Sequence, residues 1–152
     1  MMRNIIFVAL VLLGFQMNAQ DSELEAFKDL FNSEKKIALG EFMGLDATEI
    51  ARFWEIYDEY SLEREDLVDR RITLLKKYVY QYGSLSNEEA NDIVKETFSI
   101  RDKSDKIQWK YYKKFEKEFG AKKASQFVQF ERYVQTSIDN ELQTALPMIA
   151  KI

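Results

Sequence analysis

Residues that interrupt regular backbone structure are scarce in this chain. Its 152 residues include one proline, Pro147, and five glycines. Because glycine and proline are the strongest local breakers, so few of them favour a small number of long helices over many short strands. An apolar content of 46%, with 14% aromatic residues, is sufficient for a hydrophobic core. The chain is therefore predicted to be all-α.

Two similar five-residue patterns, "LDATE" at 45–49 and "LSNEE" at 85–89, predict where two helices begin. In each pattern a short polar residue precedes a glutamate by three positions, which is the signature of a capping box. The polar side chain accepts a hydrogen bond from a backbone N–H of the first turn, and the glutamate accepts one from the N–H of the cap. The leucine before each cap occupies the hydrophobic-staple position. The patterns assign structural capping roles to Leu45, Asp46, Glu49, Leu85, Ser86 and Glu89.

Glycine and proline predict where the helices end. Gly83 and Gly120 suit the left-handed residue that follows many helices, and Pro147 closes the last one. The second and third helices would be about 54 and 50 Å long at 1.5 Å per residue. We therefore predict an elongated bundle of about four helices with coiled-coil character, built on a long antiparallel helical hairpin. The predicted helices span residues 22–42, 47–82, 87–119 and 121–145.

The first twenty residues have the composition of a signal peptide. Arg3 supplies a positive charge, residues 5–15 form an apolar run, and Ala19 is a small residue near a cleavage position. The alternative, a membrane anchor, needs about twenty apolar residues, and this run is shorter. We predict a signal peptide over residues 1–20 and a single all-helical domain over 21–152. The protein is then exported to the periplasm and has no stable membrane span after cleavage.

The residue inventory predicts that the protein is not an enzyme. The chain contains no histidine and no cysteine, which removes the usual proton shuttle, the commonest metal ligand and thiol chemistry. It also lacks a Gly-rich phosphate loop, a nucleophile elbow and a dense carboxylate loop for calcium. We therefore expect neither a cofactor nor a metal ion.

Charge is distributed unevenly along the chain. Residues 21–69 hold 15 acidic and 5 basic side chains, a net charge of −10, whereas residues 101–123 hold 9 basic and 4 acidic ones, a net charge of +5. The basic segment interleaves lysines with aromatic residues, a pattern that also occurs in nucleic-acid-binding proteins. Predicted export disfavours a nucleic-acid partner, and lysines near a helix C-terminus also complement the helix dipole. The charge pattern therefore leaves two arrangements open: the two segments pair with each other, or they bind a partner of opposite charge. For the basic segment, that partner would be an unfolded acidic protein or an anionic component of the envelope.

Charged residues interrupt the apolar stripes of the predicted helices. Folding the hairpin about the 83–86 turn brings Arg64 opposite Asp105, and folding the chain again about Gly120 brings Glu131 into the same layer. As a structural cluster, the three side chains would fix the helix register at little net gain in stability. As a functional cluster, they would line the polar part of a groove. The sequence leaves both interpretations open.

Unequal helix lengths predict an exposed apolar patch. Because the first and last predicted helices are shorter than the long pair, part of the apolar stripe on the long pair should remain uncovered. Apolar patches of this kind usually mark partner surfaces. We therefore predict a homodimer in which the patch is divided between the dimer contact and a client groove. The predicted patch comprises Phe53, Tyr57, Trp109 and Tyr112.

The two capping patterns, together with long helices, predicted export and the absence of cysteine, resemble the Spy/CpxP family of periplasmic proteins. That family has two L-T-x-x-Q motifs, each at the start of a helix; here Asp46 and Ser86 stand for the threonine, and Glu49 and Glu89 for the glutamine. Residues 51–60 and 121–131 also resemble small helical envelope proteins that are described as sensors of extracytoplasmic-function sigma factors. The resemblance covers residues 40–146. It implies an ATP-independent chaperone, shaped as a cradle-like antiparallel dimer, or a periplasmic inhibitor of an envelope-stress sensor.

Two functions follow as hypotheses. The preferred one is a holdase chaperone of the envelope-stress type that binds unfolded client proteins without ATP. The alternative is a regulatory partner of one specific envelope sensor or anti-sigma factor, which the oppositely charged segments suggest because complementary patches favour specific encounter.

Overall fold

The computed structural model describes residues 21–149 and shows an all-α fold. It contains three helices, α1 (Asp21–Met43), α2 (Ile50–Gln81) and α3 (Asn87–Ala145), and no strand among the described residues. None of these helices combines the length and apolar character needed to cross a membrane. The all-α prediction is confirmed, but the predicted count of four helices is not. The predicted signal peptide lies outside the described residues.

The third and fourth predicted helices form one element, α3, with a local break at Gly120. This residue has φ 80° and ψ 162°, outside the helical region. Only glycine adopts such a conformation readily, because it has no Cβ. Gly120 therefore distorts the backbone as expected, and α3 consists of two helical segments that meet at this kink without an intervening loop.

The ends of the first two helices also differ from the sequence prediction. Gly44, with φ 54°, is the left-handed residue that follows α1. At the end of α2, by contrast, Tyr82 keeps helical angles, and Gly83 does not have a positive φ. The predicted left-handed role of Gly83 is therefore wrong, and that of Gly44 was missed.

The described residues divide into two compact units. The first unit comprises residues 21–47 and 125–145, and the second comprises residues 48–124 and 146–149. The assignment of residues 21–152 to one domain stays a prediction.

The second unit is built on an antiparallel hairpin of α2 and the part of α3 that precedes Gly120. Its core consists mainly of aromatic rings that recur at helical spacing on α2 and meet rings of α3. The Phe53 and Phe115 ring centroids are 4.9 Å apart, and those of Tyr60 and Tyr111 are 5.4 Å apart with an edge-on orientation. The buried side chains of this core include Phe53, Ile56, Tyr57, Tyr60, Leu67, Ile100, Tyr111 and Phe115.

The first unit packs α1 against the C-terminal part of α3. Leu39 is fully buried, and the rings of Phe42 and Phe130 lie 5.7 Å apart. Spacings of three and four residues place the apolar side chains of each segment on one face. The buried apolar residues of this unit are Ala38, Leu39, Met43, Phe127, Phe130 and Val134.

A reciprocal capping box stands at the start of α3. The backbone N–H of Glu89 donates to Ser86 Oγ at 3.2 Å, and the backbone N–H of Ser86 donates to the Glu89 carboxylate at 2.9 Å. The bonds from the backbone and the hydroxyl of Ser86 hold the pKa of Glu89 below its ordinary value. The "LSNEE" pattern therefore marks a true helix start.

The "LDATE" pattern behaves differently. α2 begins at Ile50, three residues later than predicted, and its N-cap position falls on Glu49 rather than on Asp46. Glu49 makes no side-chain capping hydrogen bond, and its carboxylate pairs with Lys123 Nζ instead. The predicted start at residue 47 is wrong, and the glutamate that the capping box would use pairs with a lysine distant in sequence.

Candidate functional site

The charged residues predicted to form one cluster have the following surroundings. In the first unit, Glu131 is 3% exposed, and Lys35 Nζ lies 2.8 Å from its carboxylate. In the second unit, Arg64 donates a hydrogen bond to the Tyr60 hydroxyl at 2.9 Å, and its guanidinium lies 5.2 Å from the centre of that ring. The three-residue cluster of Arg64, Asp105 and Glu131 stays a prediction.

The sequence did not indicate Lys35 as a partner of Glu131. A signal was present, since Lys35 lies three and four positions before the buried Ala38 and Leu39, on the apolar face of α1. A lysine at such a position is buried, and buried charges are usually paired. The pair joins α1 to the C-terminal part of α3 within the first unit.

A series of ion pairs, termed here the hairpin ladder, joins α2 to α3 within the second unit. Near its middle, Lys110 Nζ lies 2.6 Å from the Glu63 carboxylate. The lysines of the ladder neutralise acidic residues of the same chain. The basic segment, residues 101–123, therefore offers less positive charge to an external anion than its sequence suggests. The pairs of the ladder are Glu49–Lys123, at the residue before α2, and Arg52–Glu118, Glu59–Lys114, Glu63–Lys110 and Arg70–Glu96.

The ladder shifts the ionisation of its carboxylates. The hydrogen bond from Lys114 lowers the pKa of Glu59, and the hydrogen bond from Lys110 lowers the pKa of Glu63. The Tyr111 hydroxyl also donates to Glu63, at 2.9 Å. Burial, with this hydrogen bond as a second cause, raises the pKa of Tyr111 to about 12. The ladder therefore favours charged carboxylates and a neutral phenol in the folded protein.

The lowered carboxyl pKa values predict a loss of stability in acid. A carboxyl whose pKa is lower in the folded state stabilises the fold above its ordinary pKa of about 4.3, and this contribution disappears as the pH falls through the lower, folded-state pKa. We expect the free energy of unfolding to decrease over that window, and to decrease less steeply in a Glu63→Gln variant. Because the pairs face solvent, the difference should be modest. Urea unfolding at a series of pH values measures it, and identical pH slopes for the two proteins would contradict the prediction.

The structure corrects half of the predicted surface patch. Phe53 and Tyr57 are buried, because rings of the facing helix cover them: Phe115 and Phe119 lie 4.9 and 5.9 Å from the Phe53 ring. The prediction was based on the lengths of the first and last helices. It did not take into account that, within the hairpin, rings of α3 pack on the side chains of α2. Assigning these two residues to a client or partner surface is therefore wrong.

The other half of the patch lies on the surface. Trp109 is 61% exposed, and its ring stacks on that of the half-buried Tyr112, with centroids 5.2 Å apart. Lys113 Nζ lies 4.9 Å from the centre of the Trp109 ring. Stacking and the cation–π contact order the pair without burying it.

Trp109 and Tyr112 belong to a longer line of side chains on α3, termed here the outer stripe. Its members recur every three or four residues, so they share one face of the helix. Phe98 is 63% exposed and Val94 54% exposed. Arg101 and Asp105, which lie between Phe98 and Trp109 along the helix, are also exposed. The outer stripe consists of Val94, Phe98, Arg101, Asp105, Trp109 and Tyr112, all in the second unit.

A second exposed apolar area, termed here the tip surface, lies where α2 ends. The Tyr78 hydroxyl donates a hydrogen bond to the backbone carbonyl of Pro147 at 2.6 Å, which fixes the segment after α3 beside α2. Met148 is 88% exposed and Ile149 53% exposed. This surface was not predicted, although an apolar run directly after Ala145 in the sequence was a signal for it. The tip surface consists of Tyr78, Val79, Tyr82, Pro147, Met148 and Ile149.

Residues 21–149 contain no group of three or more acidic side chains placed to hold a metal ion. No protein-family model, curated protein or solved structure matches the chain. The resemblance to the Spy/CpxP family therefore stays a prediction.

Proposed function

We propose that this protein is an exported, ATP-independent holdase that binds apolar segments of unfolded proteins through the tip surface. The observation that carries the proposal is the exposure of Met148 and Ile149 directly after Pro147, whose carbonyl accepts the hydrogen bond from Tyr78 on α2. Large apolar side chains grouped on a surface are typical of partner sites. Export rests on the signal-like composition of residues 1–20.

The residue types of the tip surface suit a client that has no fixed shape. Methionine has a flexible, polarisable side chain and is common at promiscuous binding surfaces. Tyrosine adds a broad apolar face together with a hydroxyl that bonds to polar backbone. Burial of an apolar side chain contributes about 1.5–3 kcal/mol. A few such contacts give binding that is reversible without ATP.

The deciding experiment measures aggregation of a reduced model client with stoichiometric amounts of this protein and no ATP. We expect the wild-type protein to suppress aggregation. The double variant Met148→Ser/Ile149→Ser should bind the client at least about a hundredfold more weakly, because it loses two apolar contacts of at least about 1.5 kcal/mol each. No suppression by a several-fold excess of wild-type protein would refute the holdase proposal.

Leu62→Ser is the matched control. Leu62 is 72% exposed on α2 and does not belong to the tip surface, so its loss should leave client binding unchanged. Equal losses in the control and in the double variant would show that the tip surface has no special role.

The alternative function, regulation of one envelope sensor or anti-sigma factor, has weaker support. It was motivated by the basic segment, and the hairpin ladder pairs Lys110, Lys114 and Lys123 within the chain. A pull-down from envelope extract separates the two functions. A mixture of proteins supports the holdase, and one dominant protein supports the regulator.

A further inference from the structure

The two methionines among the described residues have opposite surroundings. Met148, in the tip surface, is 88% exposed, the largest exposed fraction of any large apolar side chain in residues 21–149. Met43, the last residue of α1, is 3% exposed. Because the chain has no cysteine, methionine thioethers supply all of its sulfur. The fold therefore leaves one of these two sulfur atoms open to solvent and shields the other.

An exposed thioether is oxidised without help from another side chain. The sulfur attacks one oxygen of hydrogen peroxide, so that an S–O bond forms and the O–O bond breaks. Sulfur loses two electrons, the peroxide gains them, and after proton transfer the products are methionine sulfoxide and water. Hypochlorous acid gives the same sulfoxide, with hydrogen chloride as the second product. Susceptibility follows exposure, so Met148 should react first.

Oxidation of Met148 would make the tip surface polar at its most exposed point. The sulfoxide is a polar group in place of a flexible apolar one. Its oxygen bonds to water in the free protein and would lose that bond against an apolar client segment, which costs free energy. Pro147 and Ile149 on either side stay apolar. The oxidised surface should therefore bind clients more weakly, and not lose them altogether.

The fold itself does not depend on the Met148 side chain. The segment that carries Met148 is fixed by the hydrogen bond from the Tyr78 hydroxyl to the Pro147 carbonyl, which involves no sulfur. A sulfoxide at Met43 would instead place a polar group in the core of the first unit, but burial keeps oxidants from that sulfur while the protein is folded. Oxidation of the folded protein should thus change a binding surface and leave the helices intact.

We propose that Met148 is an oxidation site and that its sulfoxide switches the tip surface to a weakly binding state. The oxidant is a peroxide or hypochlorous acid. A methionine sulfoxide reductase reverses the switch: two thiols supply two electrons, and the oxygen leaves as water. The effect on clients rests on the proposed holdase function, whereas the oxidation site rests on the exposure of Met148 alone.

Peptide mass spectrometry tests the oxidation site. Trypsin cleaves after lysine and arginine, so Met43 and Met148 fall in different peptides, residues 37–52 and 133–151. In the folded protein, dilute hydrogen peroxide should add one oxygen atom to Met148 at least about tenfold faster than to Met43. In urea the two rates should become equal. Equal rates in the folded protein would overturn the proposal.

Client binding before and after treatment tests the switch. Once the peroxide is removed, the wild-type protein should bind the reduced model client about tenfold more weakly, because one apolar contact is lost. A methionine sulfoxide reductase should restore the affinity. Circular dichroism should show the same helicity throughout.

Two leucine variants provide the controls. Met148→Leu cannot form the sulfoxide, so its affinity for the client, whatever the starting value, should be the same before and after treatment. Met43→Leu keeps Met148 and should lose affinity on treatment as the wild type does. In a protein that binds clients, unchanged affinity at full oxidation of Met148 would refute the switch and leave the holdase proposal standing.

An apolar fluorescent dye separates failure of the switch from failure of the holdase. The fluorescence of the bound dye reports exposed apolar surface without any client. If the untreated protein binds no client, the holdase proposal fails, and the dye decides on the switch. Fluorescence that falls on oxidation in the wild type but not in Met148→Leu supports it, and fluorescence that stays constant in both overturns it.

Discussion

Replacing Phe53 with alanine should lower the free energy of unfolding by about 3–5 kcal/mol, the range observed for truncation of a buried phenylalanine. Phe53 is fully buried, and its ring lies within 6.3 Å of the rings of Trp54, Tyr57, Phe115 and Phe119. Removing the ring leaves a cavity at the point where α2 meets α3. The surrounding rings belong to rigid helices and can close it only in part.

Urea or guanidinium unfolding followed by circular dichroism measures this effect. Tyr80→Ala is the matched control, since it removes an aromatic ring from a position that is 72% exposed. The control should change the free energy of unfolding by no more than about 0.5 kcal/mol. Comparable losses for the two variants would contradict the assignment of Phe53 to the core and of Tyr80 to the surface.

The second large effect concerns the buried ion pair of the first unit. Lys35→Met should destabilise the protein by about 3 kcal/mol, because it removes the lysine that contacts a carboxylate only 3% exposed. Methionine retains most of the aliphatic stem, so the loss reports the charge rather than the packing. The double variant Lys35→Met/Glu131→Leu should recover most of the stability, because two apolar residues can replace a buried pair at little cost.

Lys106→Met provides the control for the loss of a lysine. Lys106 pairs with Asp102 on the surface of α3, where both side chains are well exposed, and such pairs contribute about 0.5 kcal/mol or less. A double variant at positions 35 and 131 that is no more stable than Lys35→Met alone would show that Glu131 has a role beyond this pairing.

Local patterns in the sequence were sufficient for the all-α class and for the pairing of α2 with α3. Phe53, Tyr57 and Tyr60 recur at helical spacing in the sequence, and the structure buries all three. The Ser86 capping box was predictable because its two hydrogen bonds involve residues three positions apart. These features depend on interactions within a few residues of the chain, which the sequence displays directly.

Features that depend on distant residues were not predictable in the same way. Glu49 fits a capping box by its local sequence, yet Lys123, 74 positions later, binds it. Lys35 and Glu131 are 96 positions apart, and no local pattern links them. The tip surface depends on a hydrogen bond between Tyr78 and Pro147, so it exists only once the chain has folded.

The hairpin ladder has a consequence for how the two long helices are aligned. Two of its pairs, Glu59–Lys114 and Glu63–Lys110, are four residues apart on both helices. Sliding α3 by about 6 Å, four residues along its axis, would therefore give three of the five pairs a substitute partner. The substitute partners are Lys110 for Glu59, Lys106 for Glu63 and Asp92 for Arg70. The same shift would bring Lys114 opposite Arg52, which pairs with Glu118 in the structure. This pair and the aromatic contacts, such as that between Phe53 and Phe115, therefore select the observed alignment. A substitution that removes an aromatic ring from this core would therefore weaken the selection of the helix register as well as the stability of the fold.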